Sequence, residues 1–559
     1  MIDAIQAISV VLILGTIILI AKLIAPYLAR VYKRAPSRLD KVLNPIENFI
    51  YKICSIDPEH PMGWKQYFLA GLLLNVAQMV IAFLILVFQD RLPLNPLGFR
   101  GLSWDLAFNT VISFGTNTNL QHYNGEGLQT VRGVIGLSIF SQMTAIQFLQ
   151  WISAATGMCM GIAFIRGFIF GSKNVGNFHV DFVRTITRIL LPLCLIASIV
   201  FVFMGVPQTL NASTVVTTLQ GTTQSILVGP VASLDSIMQL GTNGGGFYGA
   251  NAAYPFMNPS PYSNTFMIAL MLFLPTALIF VLGELLGKKK EARPLLWGAY
   301  ILFGINLAIA FIPNIPLVPA GIETRFGGFM SNFYTVATTA ATTGSVNSAL
   351  SGMHPLVITS GLMGMFIQSI PGGKGVGLMY MVMYIIITVF IVGLMSGRTP
   401  EYLGIKITGH DVKLVMVAFL IHPIIILIPT VMAYASGAAA AIGVGGTSVG
   451  YTQILYEFTS AAANNGSDFL GASANTPFFN IATGIVMLIG RYAPIAILLA
   501  LSGSMIGRKR GETTGLKTDS AIFTIVLVGA IIILVVLTFF PFMALGPISS
   551  FFRGLPNGF

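Results

Sequence analysis

Apolar residues come in long runs along this chain, separated by short polar stretches. Runs of about 20 or more mostly apolar residues, the length that crosses a bilayer, fall at 4–28, 66–88, 131–170, 183–204, 266–286, 294–312, 412–434, 478–506 and 521–545. A tenth, ending near 397, is interrupted in its middle. Between them lie four shorter helix-like runs, at 104–114, 233–240, 329–339 and 451–462, too short to span. Ser103 and Ser233 are expected to cap the first two, with Asp105 and Asp235 in the first turn. The expected fold is an all-α membrane protein with ten transmembrane helices. Four pseudo-symmetric helix–short helix–filter–helix repeats occupy 66–171, 183–287, 294–397 and 412–506, with an extra helix at each end (1–30 and 521–545).

Each short run ends in a stretch rich in Gly, Asn and Thr: Gly115-Thr116-Asn117-Thr118-Asn119, Gly241-Thr242-Asn243-Gly244-Gly245-Gly246, Thr342-Thr343-Gly344-Ser345 and Asn464-Asn465-Gly466-Ser467. A monovalent cation stripped of water needs a ring of inward oxygens, and backbone carbonyls supply one only where φ and ψ are unusual. Four such segments in one chain close a ring without oligomerising. Four plain turns between hairpins would not need a helix to carry them to membrane depth, where irregular backbone is tolerated only around a cavity. Letters alone leave the register open: Gly115-Thr116-Asn117 lies on Gly241-Thr242-Asn243, or Thr118-Asn119 lies on Thr242-Asn243.

The interruption is Ile370-Pro371-Gly372-Gly373-Lys374-Gly375-Val376-Gly377, a hinged gate beneath the filter or a packing kink. Its Gly-Gly-Lys lacks the spacing and the strand–helix setting of a phosphate loop. Arg491 lies halfway along the last return run, too deep to snorkel, so it bars cation leak or ties helices through backbone carbonyls. Asp468, just past the fourth stretch, is either an outer-mouth acid that concentrates cations or a solvated loop acid. His422 reads as a packing residue. Gly446-Thr447-Ser448-Val449-Gly450 matches a nucleophile elbow but lies in a Gly-rich loop with no strand before it.

The chain is 55% hydrophobic and 9% charged. Its formal charge of +11 suggests nucleic acid until the positions are mapped. Of 30 Lys and Arg, 22 fall in or beside one set of alternating loops; the other side holds Arg91, Arg100, Arg132, Arg325 and Arg553. That is the positive-inside bias of a membrane protein with both termini outside. Cys54, Cys159 and Cys194 have no metal spacing. No hydrolase, metal or nucleotide motif rises above chance, so no catalytic site is expected here.

Long matches then resemble one family. Residues 92–96 (LPLNP), 101–107 (GLSWDLA), 116–119 (TNTN), 229–233 (GPVAS), 240–247 (LGTNGGGF), 397–404 (GRTPEYLG), 464–467 (NNGS) and 473–475 (SAN) are similar to the KdpA family, the potassium-binding subunits of Kdp potassium-transporting ATPases. The resemblance implies the fold of the superfamily of potassium transporters, in a prokaryotic plasma membrane. It implies that potassium is bound by Asn117, Thr118 and Asn119, by Thr242, Asn243 and Gly244 with Asn251 nearby, by Thr342, Thr343 and Gly344, and by Asn464, Asn465 and Gly466. Gln121 matches a position tied to potassium affinity, and Arg491 matches a pore-blocking arginine. Thr343 stands where members often carry cysteine, and Lys374 where small or apolar residues are common. The implied partners are a P-type ATPase catalytic subunit (KdpB-like) and small accessory subunits (KdpC-like and KdpF-like), with potassium as cargo and nucleotide bound elsewhere. The alternative is a self-sufficient potassium channel or ion-coupled transporter of the same superfamily.

Overall fold

Helix ends are set by local chemistry. Thr476 accepts from the Phe479 amide, Ser260 and Ser263 form a capping box, and Gly171 and Gly287 end helices in the left-handed conformation. The computed structural model describes residues 4–130, 133–171, 173–313, 321–508 and 517–553. Among the described residues ten helices are long and apolar enough to cross a membrane, from Ala4–Tyr32 to Ala521–Phe552. Ile139–Phe168 and Pro261–Leu286 are largely buried among the others, while Ala4–Tyr32 is mostly exposed, as expected of a helix facing lipid. Phe366 stacks on Phe539 at 3.8 Å between centroids and joins the last span to the interrupted helix.

Several buried charges sit in ion pairs near helix ends. Arg166 Nη1 meets Asp181 Oδ2 at 2.5 Å, and the Tyr67 hydroxyl donates to the same oxygen. Arg508 meets Asp411 at 2.6 Å, tying the start of Gly409–Ala435 to the end of Pro477–Ser504. Such pairs fix one helix against the next at little net gain in stability, because desolvation offsets the attraction.

Four short helices, Trp104–Gly115, Val231–Leu240, Gly327–Ala340 and Ser448–Ala462, run 10 to 15 residues and are almost wholly buried. At 1.5 Å per residue they reach roughly 15–22 Å, part of the way through a ~30 Å hydrocarbon core. Each delivers its C-terminal carbonyls and the following loop to the interior.

Several expectations need correction. The second short helix begins at Val231 with Pro230 at its N-cap; the Ser233 hydroxyl turns back to the Pro230 carbonyl, and Asp235 lies past the first turn. The fourth begins at Ser448, because the Thr447 hydroxyl caps the Gly450 amide, so the elbow-like motif is a helix start. The run at 131–170 opens on one strand of a hairpin, Gly133–Ile135 paired with Leu128–Thr130, and its helix starts only at Ile139; Arg132 lies outside the described residues. Between the run at 183–204 and the second short helix lies another hairpin, Ser213–Thr217 with Thr223–Leu227. The first basic loop holds a helix, Asp40–Ile53, that was not expected.

Candidate functional site

The backbone aligns the four Gly/Asn/Thr stretches. Asn117, Thr242, Thr342 and Asn464 each sit at positive φ, between 45° and 64°. Two residues on, Asn119, Gly244, Gly344 and Gly466 are positive again. Between them the amide of Thr118, Asn243, Thr343 or Asn465 reaches back five residues, to Ser113, Met238, Thr338 or Ser460, at 2.8–2.9 Å. The structural register is therefore Asn117-Thr118-Asn119 on Thr242-Asn243-Gly244, and neither alignment by letters holds. A β-branched residue at positive φ costs about 1–3 kcal/mol and persists only where its surroundings enforce it. Two of the four stretches, at Thr242 and Thr342, carry that strain.

The four stretches touch in chain order and close a ring. A Cβ added at Gly244 would lie 1.7 Å from the Thr343 carbonyl oxygen; at Gly344, 2.1 Å from that of Asn465; at Gly466, 1.9 Å from that of Thr118. The first stretch meets the second through Asn117 Nδ2, which donates to the Thr242 carbonyl at 2.7 Å. It also carries a side chain, Asn119, where the others have glycine. The second makes room with a further glycine: a Cβ at Gly245 would lie 2.8 Å from Asn119 Cβ. The triple glycine at 244–246 thus answers an asparagine in the neighbouring stretch.

A shell of side chains holds the ring. Asn251 Nδ2 donates to the Gly244 carbonyl at 2.6 Å, and its Oδ1 accepts from Ser345. Gln121 clamps Gly246 from both sides, donating to its carbonyl at 3.1 Å and accepting from its amide at 3.0 Å. Tyr334 bonds Ser345 at 2.6 Å, and Tyr456 bonds Ser467 at 2.8 Å, the same contact in two repeats. The Glu126 carboxylate accepts from the Gly249 amide, and burial pushes its pKa upward. Asp468 is not a solvated acid: one of its carboxylate oxygens closes a turn by accepting from the amides of Leu470 and Gly471.

Beneath the ring, Pro355–Ile367 and Val376–Met395 flank the interruption. The Gly372 amide donates to the Ala340 carbonyl, and Gly373 packs on the Thr342 hydroxyl. Gly375 lies against Gly157 and Gly161 of the helix Phe148–Phe170. A Cβ at Gly157 would stand 2.6 Å from Arg491 Nη2 and 2.7 Å from the Lys374 carbonyl. The guanidinium and the loop that holds Gly372, Gly373, Lys374, Gly375 and Gly377 therefore meet at one bare patch of helix. Arg491 is 5% exposed and donates to the Ser153 carbonyl at 3.1 Å. Ser153 Oγ in turn donates to Asn117 Oδ1, so arginine and ring are two hydrogen bonds apart. Lys374 is buried, and among the described residues its ammonium has no hydrogen-bond partner. His422 packs as expected, with its ring against the Gln368 amide.

Sequence reading missed Gln150, Ser153 and Thr156. Gln150 Nε2 donates to the Gly245 carbonyl at 2.6 Å, and Thr156 donates to Asn75. Their signal was a polar row at three-residue spacing along an otherwise apolar span.

A model of the KdpA family, described as "Potassium-transporting ATPase A subunit", matches residues 11–552. The chain is 44% identical over 562 residues, 96% of itself and 98% of the relative, to a "Potassium-transporting ATPase potassium-binding subunit" of Caldanaerobacter subterraneus subsp. tengcongensis. A protein of the same description from Gloeobacter violaceus is 42% identical over 581 residues, 98% of each chain. Among solved structures, the potassium transporter TrkH from Vibrio parahaemolyticus shares the fold, with a TM-score of 0.54, 15% identity, and coverage of 90% of this chain and 100% of that one.

Proposed function

The chain belongs to the family of potassium-transporting ATPase A subunits, and from that membership we propose that it binds extracellular potassium in the ring of four strained stretches and passes it to a P-type ATPase partner for ATP-driven import. The observation that carries this reading is the closed ring, in which the glycine of one stretch abuts the carbonyl of the next. Asn117 to Asn119, Thr242 to Gly244, Thr342 to Gly344 and Asn464 to Gly466 supply the oxygens that replace water around the ion. Asn251 and Gln121 hold those carbonyls in place, and short-helix C-termini add a favourable field. Asp468 shapes the outer loop. The residues from Gly372 to Gly377 and Arg491 hold the inward path shut, so the ion leaves sideways to the partner. We read the chain as four repeats, 66–171, 183–287, 294–397 and 412–506, each contributing one stretch to the ring, and accessory subunits complete the complex.

Reconstitution in vesicles with a potassium-sensitive dye tests the division of labour. With ATP outside, only complexes with the cytoplasmic face outward are energised, and extrusion of lumenal potassium against a gradient is expected only when the ATPase partner is present. ATP-driven extrusion by the isolated chain would refute the dependence on a partner, and rapid passive conduction would favour a free-standing channel.

Orientation is proposed from the Lys/Arg asymmetry: prokaryotic plasma membrane, basic loops inward, both termini outside. Cys54 is the exposed cysteine, in the first basic loop, while Cys159 and Cys194 are buried. A membrane-impermeant maleimide should label Cys54 in inside-out vesicles and not in right-side-out cells; the reverse pattern would invert the topology.

Asn251→Ala removes the donor on the Gly244 carbonyl and the acceptor for Ser345. Leaving such buried groups unmet costs about 1–3 kcal/mol. The potassium KM of the complex should rise about tenfold, with the maximal rate at saturating potassium largely kept.

A further inference from the structure

The helix Asp40–Ile53 is turned inside out. Leu39, Val42, Ile46, Phe49 and Ile53 recur at three- and four-residue spacing, and all five are exposed, from 42% to 66%. Its polar side is the side that packs. Arg188 Nε meets Glu47 Oε1 at 2.6 Å, its Nη1 meets Asp40 Oδ1 at 2.5 Å, and its Nη2 donates to Asn44 at 2.7 Å. Hydrogen bonding from Arg188 holds the Asp40 carboxyl below its ordinary pKa. Acids on one face thus pin the helix to the base of Phe178–Phe203, and the apolar stripe faces away from the protein.

Beside this helix opens a cleft of about 390 Å³, lined by Arg30, Arg38, Arg184 and Arg188 with Tyr27 and Ser37. Asp40 and Glu47 already serve Arg188 and Arg184. Among the described residues no acid pairs with Arg30 or Arg38, so the cleft keeps an unbalanced positive charge. It lies where the first span ends at Tyr32, and that span's Ile20 and Leu23 are exposed to lipid as well.

We propose that the cleft and the stripe form one binding site for an anionic phospholipid, with the phosphodiester headgroup among the arginines and the acyl chains along the apolar stripe. The two halves fit that occupant together. Basic pockets at the membrane boundary take lipid headgroups, and an amphipathic helix with an outward apolar face lies in the acyl–headgroup boundary. A free phosphate would satisfy the arginines and leave the stripe in water. The site goes beyond the potassium reading and does not depend on it.

The test is native mass spectrometry of the purified full-length chain with phosphatidylglycerol or phosphatidylcholine. Preferential retention of phosphatidylglycerol is expected. The double variant Arg30→Gln/Arg38→Gln should weaken it by about 30-fold, the loss for two surface cations facing an anionic headgroup. Val42→Ser/Phe49→Ser should weaken it too, and Arg398→Gln, on a separate exposed loop, should not. These side chains are exposed, and an unchanged melting temperature confirms that the variants fold. Millimolar inorganic phosphate should not displace the lipid. Equal retention of both lipids, or retention unchanged in both double variants, overturns the site. Displacement by phosphate makes it a free-anion site. Loss of a dimer or of a partner subunit in the stripe variant, with lipid retention intact, assigns the stripe to protein.

Discussion

Replacing Gly344 by alanine is expected to weaken potassium binding by about tenfold or more and to stop ATP-driven uptake by the assembled complex. Gly344 has a φ of +88°, where an L-residue costs about 1–2 kcal/mol. Strain is the smaller part. The new Cβ would stand 2.1 Å from the Asn465 carbonyl oxygen and 2.7 Å from the carbonyl carbons of Asn465 and Gly466. Those are backbone atoms with no rotamer to move, so the fourth stretch must shift. Because the stretches touch in order, a shift in one is passed to the next. Gly397→Ala separates the two effects: its φ is +65°, but nothing lies within 4 Å of an added Cβ. That variant should carry the strain and keep potassium affinity. Isothermal titration of the complex with potassium, with sodium as competitor, reads both. Equal affinity in Gly344→Ala and the unmodified chain would remove the third stretch from the site.

Arg491→Gln is expected to raise passive potassium flux by about 30-fold, the effect of a ~2 kcal/mol barrier. A unit charge ~8 Å from a cation contributes roughly that much at an effective dielectric of about 20. Glutamine ends two bonds short of the Nη2 that donates to the Ser153 carbonyl, so charge and hydrogen bond are lost together and a second variant must return the charge. The leak should appear in vesicles holding the complex without ATP, and the ratio of potassium moved to ATP hydrolysed should fall. Arg491→Lys should restore tightness if charge is what matters. If both variants stay as tight as the unmodified complex, Arg491 is a helix tie and the loop at 372–377 alone holds the path shut.

How much was legible in the sequence depended on the kind of signal. Spans and short helices were readable because membrane crossing demands a run of apolar residues, and a short run cannot cross. The ring's register was not readable from letters, because backbone conformation sets it. Asn117 and Asn464 share a letter with one another but not with Thr242 and Thr342, yet all four occupy the same left-handed position. Gly245 explains itself only beside Asn119, which lies in another repeat. The helix Asp40–Ile53 was hidden by its lysines and by Pro45, although Leu39, Val42, Ile46, Phe49 and Ile53 keep helical spacing. The loop's net positive charge masks acids that pair with Arg184 and Arg188, 137 to 148 residues later. Arg491 was visible as an intramembrane charge, while its link through Ser153 to Asn117 needed three helices in place.

One measurement bears most directly on the ring: the anomalous signal of rubidium in crystals of the complex grown with rubidium in place of potassium. A binding ring places a peak among the carbonyls of Asn117 and Thr118, Thr242 and Asn243, Thr342 and Thr343, and Asn464 and Asn465, and the peak should vanish in Gly344→Ala. A rubidium peak elsewhere in the chain with none inside the ring, or a peak unaltered by Gly344→Ala, would contradict it.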